Sequence, residues 1–155
     1  MKTIEFQNLL LKSAVSVIAC DGNIDDSEIS EIKNMAENEI YFIGFDFDEP
    51  LKANLKIIKE KGVSAINDFL KELEHANLNK NQELLLIEVL IRAIESDKKI
   101  ELNEIKFLQL VKSKLKTTEE IIITKFPNQI NYLIDFHNYG LNQEFTDEIV
   151  FSENN

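Results

Sequence analysis

At 155 residues, 44% hydrophobic and 29% charged, with only 4 Gly and 2 Pro, the chain has the composition of one globular domain without long flexible linkers. Its 28 acids against 17 bases leave a net charge of -11, a field that repels phosphate backbones and anionic lipid. A general nucleic-acid interface is thereby excluded; a cation or a basic patch on a partner protein suits the charge, with solubility alone as the plainer account.

A single cysteine, Cys20, excludes an internal disulfide and a cysteine zinc cluster. The opening MKTIEFQNLL carries Glu5 and no small-residue cleavage site, so it does not read as a signal peptide. The longest apolar run, Leu84–Ile94, is interrupted by Glu88 and Arg92 and is too short to cross a bilayer. No membrane insertion and a cytoplasmic location are expected.

The spacing of Phe6, Leu9, Leu10, Ala14, Val17 and Ile18 predicts a helix from about Thr3 to Cys20, widened by Leu11 and Val15 until it is largely buried. Asp21-Gly22 ends it, with Gly22 able to take the left-handed cap. A second helix starts at Asp25, which with Glu28 forms a capping-box pattern; Ile29, Ile32, Met35 and Ala36 make its inner face. Ile40 to Pro50, IYFIGFDFDEP, reads as a connecting loop, with Asp46, Asp48 and Glu49 as solvated acids and Pro50 at a first helical position.

The next helix runs from Pro50 to Glu60 and stops at Gly62; Ser64 caps another from Ala65 to His75. Asn79 or Asn81 opens NQELLLIEVLIRAIESD, apolar around most of its circumference and therefore central. A helix from Leu102 to Lys114 follows, with Ile105, Leu108, Val111 and Leu115 inward and Gln109 outward. Thr117 or Thr118 caps TTEEIIITKF, whose threonine-to-glutamate spacing favours a short helix over a strand, ended by Pro127. Asn128 to Tyr139 is expected to pack as a helix, and the last dozen or so residues to be loose or ordered by a partner.

Sliding the chain until Asp21 meets Asp97 aligns LLLKSAVSVIACDGNIDDSEISEI with LLIEVLIRAIESDKKIELNEIKFL without a gap. Ile18 then meets Ile94, Ile24 meets Ile100, Asp25 meets Glu101, and Glu28 meets Glu104. Each copy is a buried helix, an acidic turn, a buried isoleucine and a second amphipathic helix. Two such hairpins can pack about a pseudo-twofold axis. The expected fold is therefore all-α, a bundle of about seven to eight helices with two pseudo-symmetric halves. The duplicated domain is placed at 1-116, and an acidic helical extension at 117-155 packs on it.

The Ala/Ile-rich helix running into Asp21-Gly22-Asn23-Ile24-Asp25, with Glu28 following and a partial echo at Asp97, Ile100, Glu101 and Glu104, resembles the TerB-like family, named for a tellurite-resistance protein. The resemblance spans roughly Leu9 to Leu115. It implies a non-enzymatic binding or scaffold module of bacterial stress-response or defence systems, with acidic residues that bind a metal cation. The second copy departs from the pattern at Lys98-Lys99, where the first has Gly22-Asn23.

On that reading a divalent cation (Ca, Mg or Mn) would be held by Asp21, Asp25, Glu28, Asp97, Glu101 and Glu104. The turn is not an EF-hand, because loop positions six and twelve counted from Asp21 hold Asp26 and Ile32. Each acid also has a structural account: Asp25 and Glu28 as caps, Asp21 as acceptor of turn amides, Lys98 and Lys99 as neutralisers. Cys20 reads as a core residue, and His75 and His137 as surface or helix-end residues. There is no P-loop and no nucleophile elbow, and two histidines are too few for the dense ligand set of a metallohydrolase, so no enzyme is expected. The alternative function is an acidic accessory or immunity-type protein that docks a basic partner surface without metal.

Overall fold

A helix that is apolar on every side has no solvent face and must be enclosed by its neighbours. Two helices of this chain come nearest to that condition, and the rest is arranged around them. The computed structural model describes residues 2–96 and 99–134. The order is α1 (Thr3–Ile18), α2 (Asp26–Asn38), a 3-10 turn (Ile40–Phe42), α3 (Asp48–Lys61), α4 (Val63–His75), α5 (Lys80–Glu95), α6 (Leu102–Lys114), α7 (Glu119–Lys125), a second 3-10 turn (Pro127–Gln129) and α8 (Ile130–Leu133). Among the described residues there is no strand, and no helix is long and apolar enough to cross a membrane.

Helices α1 and α5 lie against each other, and each also touches both α2 and α6. Leu9, Leu10, Leu11, Val17 and Ile18 of α1 and Leu86, Ile87, Leu90 and Ile94 of α5 are buried in one continuous core. Each such side chain contributes about 1.5–3 kcal/mol when fully buried. The buried serines of α1 are satisfied within the helix: Ser13 Oγ donates to Leu10 O at 2.7 Å and Ser16 Oγ to Lys12 O at 2.8 Å. On one flank α3 and α4 cover α1, tied by Lys12 to Glu72 at 2.8 Å, while Phe69 of α4 stacks obliquely on Phe107 of α6.

Several expected boundaries shift. Helix α1 ends at Ile18 rather than Cys20, because Gly22 at φ 79 and the hydrogen bond from Gly22 N to Ala19 O draw the chain into a turn. Helix α3 starts at Asp48, so Pro50 stands third in the helix, where its missing amide is still harmless. Gly62, at φ 55, rather than Ser64, introduces α4: its backbone bends so sharply that Val63 is already helical. Helix α5 opens on Asn79, whose side chain accepts from Gln82 N, and Thr118 caps α7, a helix rather than a strand.

Gln109 does not face out. It is buried and its Nε2 donates to Tyr132 O, while Lys112 Nζ donates to Leu133 O and pairs with Glu119 at 2.7 Å. Helix α6 thus turns apolar and polar anchors alike toward the following segment, whose Ile122, Phe126 and Leu133 join the main core. The expected helix over Asn128–Tyr139 is seen as the second 3-10 turn and α8 up to Ile134; its remainder and the last dozen residues lie outside the described residues. Ile100, the expected buried partner of Ile24, is exposed instead.

Glu83 secures the crossing into this segment. It is 4% exposed, and its carboxylate accepts from Lys116 N at 3.0 Å, Thr117 N at 2.8 Å and Thr117 Oγ1 at 2.5 Å. Replacing it with alanine takes the acceptor from two backbone amides and a hydroxyl, so Glu83→Ala is expected to cost about 2 kcal/mol in urea unfolding. Hydrogen exchange at Lys116 and Thr117 should speed up well before that of α1. Unchanged exchange at those amides would refute the anchoring role.

Candidate functional site

The first acidic turn is built by short-range hydrogen bonding. Asp21 Oδ1 accepts from Asn23 N at 2.9 Å, an Asx turn that suits a short acid beside a positive-φ glycine. Asn23 Nδ2 donates to Asp25 Oδ1 at 2.8 Å. Asp25 then caps α2, and its own amide donates to Glu28 Oε1 at 3.0 Å, the glutamate half of a capping box. Helix α6 opens the same way: Glu101 caps it and donates its amide to Glu104 Oε1 at 2.9 Å.

The two turns meet across the fold. Asn103 Nδ2 donates to Cys20 O at 3.2 Å, joining the start of α6 to the end of α1. Cys20 itself is buried, its Sγ donating to Ser16 O at 3.2 Å. Glu28 and Glu104 are each 1% exposed. One oxygen of Glu104 is used by the cap; the other, Oε2, is buried and makes no hydrogen bond among the described residues. Such an atom is unusual, because a desolvated carboxylate oxygen without a donor costs the folded state several kcal/mol.

The electrostatics follow from this crowding. Burial pushes the Glu104 carboxyl up to about 8; the Glu101 amide opposes the shift, and the charges of Glu28, Asp21 and Glu101 add to it. Asp21 is likewise raised, first by burial, against the Asn23 amide, and then by Glu101 and Asp25. Five of the six expected site residues, Asp21, Asp25, Glu28, Glu101 and Glu104, therefore lie within one another's electrostatic reach. Asp97 lies outside the described residues. Lys99 is exposed and pairs with Glu101 at 3.4 Å.

As the side chains stand, no group of three or more His, Cys, Asp or Glu among the described residues is arranged to hold a metal ion. What the arrangement does provide is a buried carboxylate oxygen in need of a proton or a cation, surrounded by like charges. His75 is the last residue of α4, and His137 lies outside the described residues.

Sequence reasoning passed over Gln7 and Arg92. Arg92 binds Glu31 at 2.7 Å, Glu39 at 2.6 Å and the Tyr41 hydroxyl at 3.2 Å, tying α5 to α2 and the first 3-10 turn. A lone arginine in an acidic chain was the signal available for it.

No protein-family model, no curated protein sequence and no solved structure matches this chain.

The raised Glu104 carboxyl sets a pH dependence. An acid whose folded pKa exceeds its unfolded value stabilises the fold while protonated; that contribution is full below 4.5 and is lost as pH rises through about 8. Asp21 acts in the same direction. Glu104→Gln keeps an acceptor for the Glu101 amide and removes the titration. The variant should match the parent near pH 5 and exceed it near pH 9 by on the order of 2 kcal/mol in urea unfolding. Parallel stability profiles for the two proteins would refute the assignment.

Proposed function

We propose that this chain is a non-enzymatic binding module of TerB-like type, whose paired acidic turns take up a divalent cation and whose surface engages a partner protein. The observation that carries the cation reading is Glu104 Oε2, buried and without a donor among the described residues, beside Glu28, Asp21 and Glu101. A hard cation such as Ca, Mg or Mn is the ligand whose chemistry answers clustered carboxylate oxygens. Glu104 would be its first ligand, with Asp21, Glu28 and Glu101 as the nearest further donors and Asp25 and Asp97 as the remaining candidates. Because no finished cage stands there, binding must include side-chain rearrangement and modest affinity.

A pseudo-twofold arrangement of the two hairpins is part of this proposal. Helix α1 touches α2 and α6, and α5 touches α6 and α2, the reciprocal pattern that a duplicated hairpin produces. Such a duplication brings equivalent acids to one place, which a single hairpin cannot do. A role in bacterial stress response or defence rests on the resemblance alone. The second reading, an acidic accessory or immunity-type protein that works without metal, is favoured by the capping duty already performed by Glu28 and Glu104.

Titration calorimetry with calcium, magnesium and manganese chloride decides between them. The native chain should bind at least one with a dissociation constant on the order of 10⁻⁴ M, and release a proton as Glu104 ionises. Glu104→Gln and Asp21→Asn should each weaken binding by about tenfold or more. Absence of heat with all three metals, together with an unmoved melting temperature, would sink the cation reading and leave the metal-free one.

A further inference from the structure

We infer that the loop between α2 and α3 is a preformed docking surface for a basic amphipathic segment of a partner protein. Most exposed isoleucines in a small fold are scattered singly and need no explanation. Here Ile40 is 80% exposed and Ile43 is 74% exposed, three residues apart and joined by the hydrogen bond from Ile43 N to Ile40 O. They edge an open recess of about 500 Å³ floored by Ala36 and Phe42 and walled by Phe45 and Phe47.

This loop is held in place. Gln7, buried on α1, donates its Nε2 to Tyr41 O at 3.3 Å and to Ile43 O at 3.0 Å. Phe42 is driven into the core, with its ring 5.4 Å from Tyr41 and 5.8 Å from Phe45. Arg92 holds the Tyr41 hydroxyl from below. Phe45 N donates to Phe42 O at 3.0 Å, closing a turn whose glycine, Gly44, takes φ 74. With the backbone bonded and Phe42 inward, the isoleucines are fixed outward. A partner therefore meets anchors that lose little entropy on binding.

The charge around the recess selects the occupant. Glu37 and Glu39 line it, Asp46 and Asp48 are exposed on either side of its Phe47, and the chain from Asn34 to Leu51 contains no lysine or arginine. Arg92 is already engaged by Glu31 and Glu39. An apolar centre with an acidic rim matches a helix that carries leucine-like anchors flanked by Lys or Arg. A second copy of the chain would set this rim against itself across a twofold axis. An anionic bilayer is repelled in the same way. The chain's own residues 135–155 contain no lysine or arginine to pair with the rim. The inference deepens the binding-module reading, on which it rests, and is independent of the cation.

The test is fluorescence anisotropy in EDTA, so that loss of the cation reading leaves it untouched. The probe is a labelled synthetic peptide of roughly 14 residues with Leu and Lys at helical spacing. The native chain should bind it, and Ile40→Ser/Ile43→Ser should weaken binding by about tenfold or more. Asp46→Asn/Asp48→Asn should weaken it by about threefold and flatten its salt dependence. Both variants alter exposed side chains and should melt with the parent. Equal binding by the isoleucine double variant, or by a peptide with every Leu replaced by Ser, overturns the proposal. So does a failure of the native chain to bind the Leu/Lys peptide. Two further results would overturn it: self-association in sedimentation that Ile40→Ser/Ile43→Ser abolishes, and binding to phosphatidylglycerol vesicles through the same isoleucines.

Discussion

The mutual burial of α1 and α5 is the constraint from which the other features follow. Both helices are apolar around most of their circumference, so they lie together at the centre. Their C-terminal turns are then carried along with them, and the helices that follow, α2 and α6, have to start beside the same core. Two acidic helix starts that are far apart in the chain are thereby pressed against each other, joined by Asn103 and Cys20. The carboxylate crowding is a consequence of packing and not of any local preference for clustered acids.

Two buried glutamates show how differently the fold treats one residue type. Glu83 accepts hydrogen bonds from two backbone amides and a hydroxyl, so its charge is well solvated by the protein. Glu104 accepts one amide, and its second oxygen meets no donor among the described residues. The first arrangement stabilises the crossing into α7. The second destabilises the ionised fold, and such strain is characteristic of sites that await a proton or a ligand. A folded chain keeps few atoms in that condition, which makes Glu104 the residue through which function is best sought.

The loop from Ile40 to Phe47 obeys a related logic on the surface. Its backbone is bound to α1 through Gln7, and one of its four aromatics is sunk into the core. The remaining apolar side chains cannot all follow, because the turn is too short to bring Ile40 and Ile43 to the same side as Phe42. Exposure there is enforced by the anchoring, and the acids around it add the sign of charge.

Much of the architecture was legible in the residues. Helix period, Asn79 and Thr118 as caps, Gly22 and Gly62 as stops, and the duplicated acidic turn are local properties, set by side chains within a few positions of one another. For the same reason the capping use of Asp25 and Glu28 could be read in advance. What the tertiary structure alone decided was which groups meet over long distances. It turned Gln109 inward to hold Tyr132 and left Ile100 outside although Ile24 is buried. It also stranded one oxygen of Glu104 and set Ile40 and Ile43 in solvent. A pattern of residues specifies hydrogen bonds within a turn, but desolvation and the approach of like charges depend on what other elements bring to the same place. The sequence by itself determined that two acidic turns exist; only the packing of α1 on α5 brought the starts of α2 and α6 close to each other.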